Sequence, residues 1–287
     1  MDRRHFVWPT SGTGGDLAST LRDAGLAAAN SNNGNGPEII DKYLTWGSEQ
    51  SRMLRGRISS EDLSRLVTTP RYWATVSAPE ATPPTVRAIT DELSHRSQVL
   101  AAAAEAVRAA ADAWRPKDGT FTSLALVDTS FWIEHEGNFG SIDWHDLITS
   151  VPSPGAPSVG DELRIVVPVL VIDELDDLTH KASLRPKAVG VARYLYGLLR
   201  GHTTAPITIA PEQGGRGAVT MQLLFDPHDH RRLPINDAEM IERTISVRDF
   251  IGIPEKQAFF LTYDTGAAFR AEHAGLMPRL IPRRATR

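Results

Sequence analysis

Three short apolar runs constrain this 287-residue chain more than any other feature: LALVD at 124–128, RIVVPVLVI at 164–172 and AFFLTYD at 258–264. Rich in branched and aromatic side chains and without polar alternation, each predicts a strand covered on both faces. Helical patterns lie between them, at 144–149, roughly 186–200, and 237–251. Strand alternating with helix predicts a parallel sheet with helices on both sides. The stretch 202–235 departs from that order. There TAPITIAP and AVTMQLLF, joined by EQGGRG, predict an inserted β-hairpin, and DPHDHRRLP reads as a surface loop.

Upstream of residue 118 the pattern is helical throughout. A short helix is expected at 16–29, then the linker-like NSNNGNGP, then a helix opened by Pro37 and running to about Leu54. Ser60 with Glu61 and Asp62 reads as the capped start of a short helix that Pro70 ends. The strongest helix covers 84–114. Val86, Leu93, Leu100, Val107 and Trp114 recur every seven residues, with Ile89, Ala103 and Ala110 beside them and Arg96 interrupting that second row. Such a stripe packs on neighbouring helices of its own domain, or seats a homodimer or partner protein as a coiled coil. RPKDG at 115–119 marks a boundary between a helical accessory domain, 1–118, and an α/β domain, 119–287.

The chain has no cysteine, which excludes thiol catalysis, disulfide frameworks and zinc–cysteine centres. No apolar run approaches the 18 or so residues of a membrane span, and MDRRHFVWPT lacks the apolar core of a signal peptide, so a cytoplasmic location is expected. Net charge is −4. Residues 1–118 carry 14 basic and 14 acidic side chains, leaving 17 and 21 for the remainder, so the acidic surplus lies in the second half.

Four acids there fall at informative places. Asp128 ends the first run, Glu174 follows the second, Asp264 ends the third, and Asp237 opens a helix in PINDAEMIERT. Ligands of open parallel sheets bind at the carboxyl ends of strands, so Asp128, Glu174 and Asp264 are expected to converge on one rim. Clustered carboxylates raise one another's pKa and call for a cation. Oxygen ligands without cysteine favour Mg²⁺ or Mn²⁺, which activates water and stabilises charge in phosphodiester hydrolysis. Each acid taken singly also reads as a helix cap or a solvated charge, Asp237 most of all.

In order, VDTS at 127–130, VPVLVIDELDDL at 167–178, NDAEMI at 236–241 and LTYDTGAAFRAEHAGL at 261–276 resemble the motifs of the PIN-domain nucleases. The resemblance covers about 121–282. It implies a parallel sheet of four or five strands and a pocket in which Asp128, Glu174, Asp237 and Asp264 bind one or two divalent ions as the catalytic ligands. It also implies that Thr129 and Thr262 orient ligands or water, and that the activity is endoribonuclease cleavage of RNA leaving a 5′-phosphate. Glu174 is preferred to its neighbour Asp173 because it matches the family position and because alternation along a strand sends consecutive residues to opposite sides. Glu239 is expected to point away from Asp237 into solvent.

Phosphate contacts need basic side chains around the acids. Candidates are Lys181, Arg185, Lys187, Arg193, Arg231 and Arg232, with Arg279, Arg283, Arg284 and Arg287 in the tail. Trp132, Trp144 and Tyr263 are candidates to stack on bases, although Trp132 reads better as core. His135, His228 and His230 lack a recognised metal spacing. The leading rivals are a structure-specific DNA nuclease and an RNA-binding protein that keeps the fold without turnover.

Overall fold

A computed structural model describes residues 9–114, 122–149, 162–202, 205–226 and 230–281. The boundary segment RPKDG, His228 and the tail arginines Arg283, Arg284 and Arg287 lie outside the described residues. The chain divides into two compact units, one extending to Asp112 and including Asp249–Gly252, the other holding the remaining residues from Ala113 on. Among the described residues no helix is long and apolar enough to cross a membrane.

The first unit is all helix: α1 Gly14–Ser31, α2 Pro37–Leu54, α3 Ser60–Leu66, α4 Pro70–Ser77 and the body of α5 Pro83–Trp114. Hydroxyl caps set several starts. Thr13, Ser59 and Thr69 accept the amides of Asp16, Asp62 and Tyr72, each satisfying a donor the first turn leaves orphaned. The cap of α3 is therefore Ser59 and not Ser60. Pro70 does more than end α3, since it occupies the first turn of α4, where its missing N–H costs nothing. The α5 stripe is covered within the chain, with Ile89, Leu93, Leu100, Ala103 and Val107 all buried. Packing against α1 is close at Gly25, where a Cβ would sit 3.1 Å from the Ser97 carbonyl and 3.3 Å from Leu100 Cβ. Arg96, the polar interruption, is buried for a reason. Its Nη1 donates to the Arg65 carbonyl in the last turn of α3 at 2.7 Å, and Glu92 one turn earlier lies 3.3 Å from its Nε. A cation is stabilising at the negative end of a helix.

The second unit is a six-stranded sheet flanked by helices. Its strands are β1 Thr122–Val127, β2 Glu162–Pro168, β3 Ile207–Ala210, β4 Val219–Leu224, β5 Ala258–Thr262 and β6 Met277–Leu280, in the order β3-β4-β2-β1-β5-β6. All neighbours are parallel except β3 and β4. The expected hairpin exists, but it is not an appendage, because β4 runs parallel to β2 inside the sheet and β3 forms one edge of it. β1 and β5 are buried along their whole lengths, as their unbroken apolar sequences require. The helices are α6 Thr129–Glu134, α7 Trp144–Thr149, α8 Val169–Leu178, α9 Arg185–Leu199, α10 Asn236–Ile251 and α11 Thr265–His273. Phe131, Trp132, Phe139 and Trp144 form an aromatic cluster in the core, with neighbouring ring centroids 5.6–6.3 Å apart. The two tryptophans are core and not base-stacking surfaces.

The largest departure from the sequence reading is in the second run. The strand predicted over 164–172 stops at Pro168, which serves as the N-cap residue of α8. Val169–Ile172, β-branched and strand-like in propensity, is helical because Leu170, Val171 and Leu175 bury one helical face. Propensity is the weaker term when packing opposes it.

Candidate active site

The chain traces β1, then β2 on one side of it, and later returns to place β5 on the other side. The carboxyl ends of β1 and β5 therefore flank the switch point where open α/β sheets bind their ligands. Asp128 follows β1 directly, and its amide donates to the Leu261 carbonyl at 3.2 Å, so the two strand ends are tied together. Asp264 lies just past the end of β5 and caps α11 by accepting the Ala267 amide at 2.8 Å. Glu174 belongs to α8 and not to a strand end. Asp237 sits in the first turn of α10, as its sequence context implied.

Each of these acids is held by a named partner. Asp128 is 4% exposed; its Oδ1 accepts from Ser130 Oγ at 2.7 Å and from the Phe131 amide at 2.8 Å, and its Oδ2 accepts from the Thr262 hydroxyl. That same Thr262 oxygen accepts the Asp264 amide at 2.9 Å, linking the first and last acids through one fully buried side chain. Thr129 donates to Glu174, whose other oxygen accepts from Asn236 Nδ2 at 2.6 Å. Asn236 precedes Asp237, so α8 and α10 meet at this point. Arg270 from α11 pairs with the Asp237 carboxylate. Burial pushes the Asp128 carboxyl above its ordinary range; hydrogen bonds from Thr262, Ser130 and the Phe131 amide oppose that rise, and the Asp237 charge adds to it. Asp128 thus senses the charge of Asp237, 109 positions away in sequence.

Both threonines touch carboxylates, Thr129 at Glu174 and Thr262 at Asp128. Replacing Thr262 by Val strips a buried donor from Asp128 and an acceptor from the Asp264 amide. The expected result is a loss of roughly 1–3 kcal/mol in thermal denaturation.

The neighbouring acids have other roles. Asp173 pairs with Arg232 Nη1 at 2.6 Å, while Arg232 Nε also meets Asp226 at 2.7 Å. What separates Asp173 from Glu174 is therefore helical position, not strand alternation. Glu239 is the clearest correction, because it is fully buried and not solvated; it accepts from the Leu233 amide at 2.9 Å and lies 2.5 Å from His230 Nε2. The sequence reading followed only the Asp237 face of α10 and left the opposite face to water, where the loop in fact folds back. Among the described residues, Asp226, His230 and Glu239 form the one trio whose ligand atoms lie within 4.8 Å of one another. No three of Asp128, Glu174, Asp237 and Asp264 are that close; Thr262, Thr129, Asn236 and Arg270 hold them in place individually. Their donors are all carboxylate oxygens, the set that suits a hard divalent ion.

Of the basic candidates, Lys181, Arg185, Lys187, Arg193 and Arg231 are exposed. Arg232 is engaged by two carboxylates. Arg279 is 4% exposed, donates to the Ile148 carbonyl at 2.8 Å and lies 5.0 Å from the Phe259 ring centroid, so it holds β6 and is not a surface contact. Tyr263 and His135 are stacked on Phe131 at 6.0 and 4.1 Å. Asn236 and Arg270 were missed in the sequence. Their types carry no signal of their own, although NDAEMI and DTGAAFR place them beside recognised acids.

The site is thus a parallel α/β sheet with Asp128 and Asp264 just past two adjoining strand ends and Glu174 and Asp237 on helices α8 and α10. The PIN domain family model matches residues 125–278, more than half the chain, and the chain belongs to that family, whose members are typically nucleases. No curated protein and no solved structure matches it.

Proposed function

We propose that this protein is a divalent-metal-dependent endoribonuclease in which Asp128, Glu174, Asp237 and Asp264 hold Mg²⁺ or Mn²⁺. The observation that carries the reading is the buried Asp128 carboxylate, bonded through Thr262 to the Asp264 backbone and raised in pKa partly by Asp237. A buried carboxylate facing another is unfavourable by itself and becomes favourable when a cation joins them. The bound ion would supply an activated water and stabilise the charge that develops on the phosphorus oxygens. The protein's own part is to fix the ligands: Thr262 orients Asp128, while Thr129 and Asn236 orient Glu174. Lys181, Arg185, Lys187, Arg193 and Arg231 are proposed to meet the RNA backbone.

The test is cleavage of single-stranded and structured RNA, with flap DNA alongside, in Mg²⁺ or Mn²⁺ and then in EDTA. RNA cleavage that EDTA abolishes, leaving 5′-phosphate ends, is expected. Cleavage of flap DNA alone would transfer the site to DNA, and metal binding without any cleavage would leave a non-catalytic RNA binder.

A further inference from the structure

Arg270 is a basic residue that reaches into the acid set, and it does so from a partly exposed position. Its Nη2 pairs with the Asp237 carboxylate, yet the arginine side chain remains 43% exposed and that of Asp237 31%. One helical turn earlier, Gly266 has no side chain, and Asp264 and Arg270 both close on the space one would take. A Cβ there would lie 3.1 Å from Asp264 Oδ1 and 3.5 Å from Arg270 Nη1. The guanidinium therefore lies on the side of α11 where Asp264 sits and pairs with Asp237. Arginine stays protonated at every working pH, so it is a permanent monovalent counter-ion at oxygens that a divalent ion needs. Its planar fork also matches two oxygens of a phosphate.

We infer that Arg270 is a resident counter-ion of this pocket: a divalent ion displaces it from Asp237, and the released guanidinium then grips the phosphodiester of the RNA. The inference rests on the metal-dependent reading above and deepens it. Ion and arginine compete for Asp237, while arginine and phosphate attract, so one residue opposes metal loading in the free enzyme and favours substrate once metal is bound.

The competition makes opposite demands on one variant, which a merely structural role would not. Arg270→Gln is expected to bind Mn²⁺ about 2- to 5-fold more tightly in calorimetric titration without RNA, the range that loss of a partly exposed ion pair corresponds to. The same variant is expected to lose about 10-fold or more in kcat/KM for RNA, mostly through KM, because a charge-assisted phosphate contact is gone. Arg270→Lys keeps the charge without the fork and should bind Mn²⁺ like the wild type while recovering only part of kcat/KM. Thermal melts establish that the variants are folded, which the exposure of the side chain favours. Unchanged or weaker Mn²⁺ binding by a folded Arg270→Gln, or an unchanged kcat/KM, overturns the inference. Failure of the nuclease reading itself is seen separately, as a wild-type protein that binds no Mn²⁺.

Discussion

Asp128→Asn is expected to abolish RNA cleavage and, in EDTA, to leave the protein as stable as the wild type or more so. Loss of even an outer partner of a metal ligand costs about 10–100-fold, so removal of the ligand's charge should exceed ~100-fold. The stability side follows from burial. Asparagine retains the cap, because its Oδ1 accepts the Phe131 amide as the carboxylate does, and Thr262 Oγ1 can turn to accept from its amide group. What disappears is a desolvated charge facing Asp237. Because the folded-state pKa of Asp128 lies above the ordinary 3.8, the folded state holds this proton more tightly than the unfolded one. Its ionisation therefore costs stability as pH rises through the window that begins near 3.8, and the cost is constant above the folded value. Thermal melts should show Asp128→Asn ahead by roughly 0.5–2 kcal/mol at pH 7, with the gap closing as the buffer is taken down toward pH 4. A folded variant that cleaves RNA at the wild-type rate would remove Asp128 from the site.

The largest stability loss is expected from Arg164→Ala. Arg164 is 2% exposed in the middle of the sheet and donates to Glu162 at 2.7 Å, the Trp114 carbonyl at 2.5 Å and Gln222 at 3.3 Å, with Thr220 at the same distance from its Nε. Truncation leaves the Glu162 carboxylate without its counter-charge and a set of acceptors without donors, a change that costs about 3–5 kcal/mol. Denaturant unfolding measures it directly. A Glu162→Gln, Arg164→Met double variant removes both charges and should lose clearly less, since replacing a buried pair is milder than breaking it. Equal losses in the two would mean that neither the ion pair nor the volume decides, and that the arginine acts through its bonds to the Trp114 carbonyl and Gln222, which both variants lose.

The positions of Asp128 and Asp264 just past strand ends were legible in the sequence. LVD and LTYD end strands whose burial on both faces forces an unbroken apolar sequence, and the acid after each run stands out against it. The strand-end placement of Glu174 was wrong for a physical reason: VPVLVI carries strand propensity, and only tertiary packing of Leu170, Val171 and Leu175 makes Val169–Ile172 helix. β6 went unseen because Met277–Leu280 is short and holds a proline. The roles of Arg232, Arg279 and Glu239 were out of reach for a common reason. A charged side chain in sequence carries no mark of whether it meets water or a partner, and each of these three found a partner distant in the chain or across a loop. Arg96 shows the same limit in the helical unit, where an apparent flaw in an apolar row holds the Arg65 carbonyl of a neighbouring helix.

The central claim is that these carboxylates hold the catalytic ion, and the most direct measurement is anomalous diffraction from crystals soaked in Mn²⁺. The account predicts a manganese peak bounded by Asp128 with Asp237 or Asp264, together with a shift of the Arg270 guanidinium away from Asp237. A peak at Asp226, His230 and Glu239 with none at Asp128, or no peak at all, would contradict it.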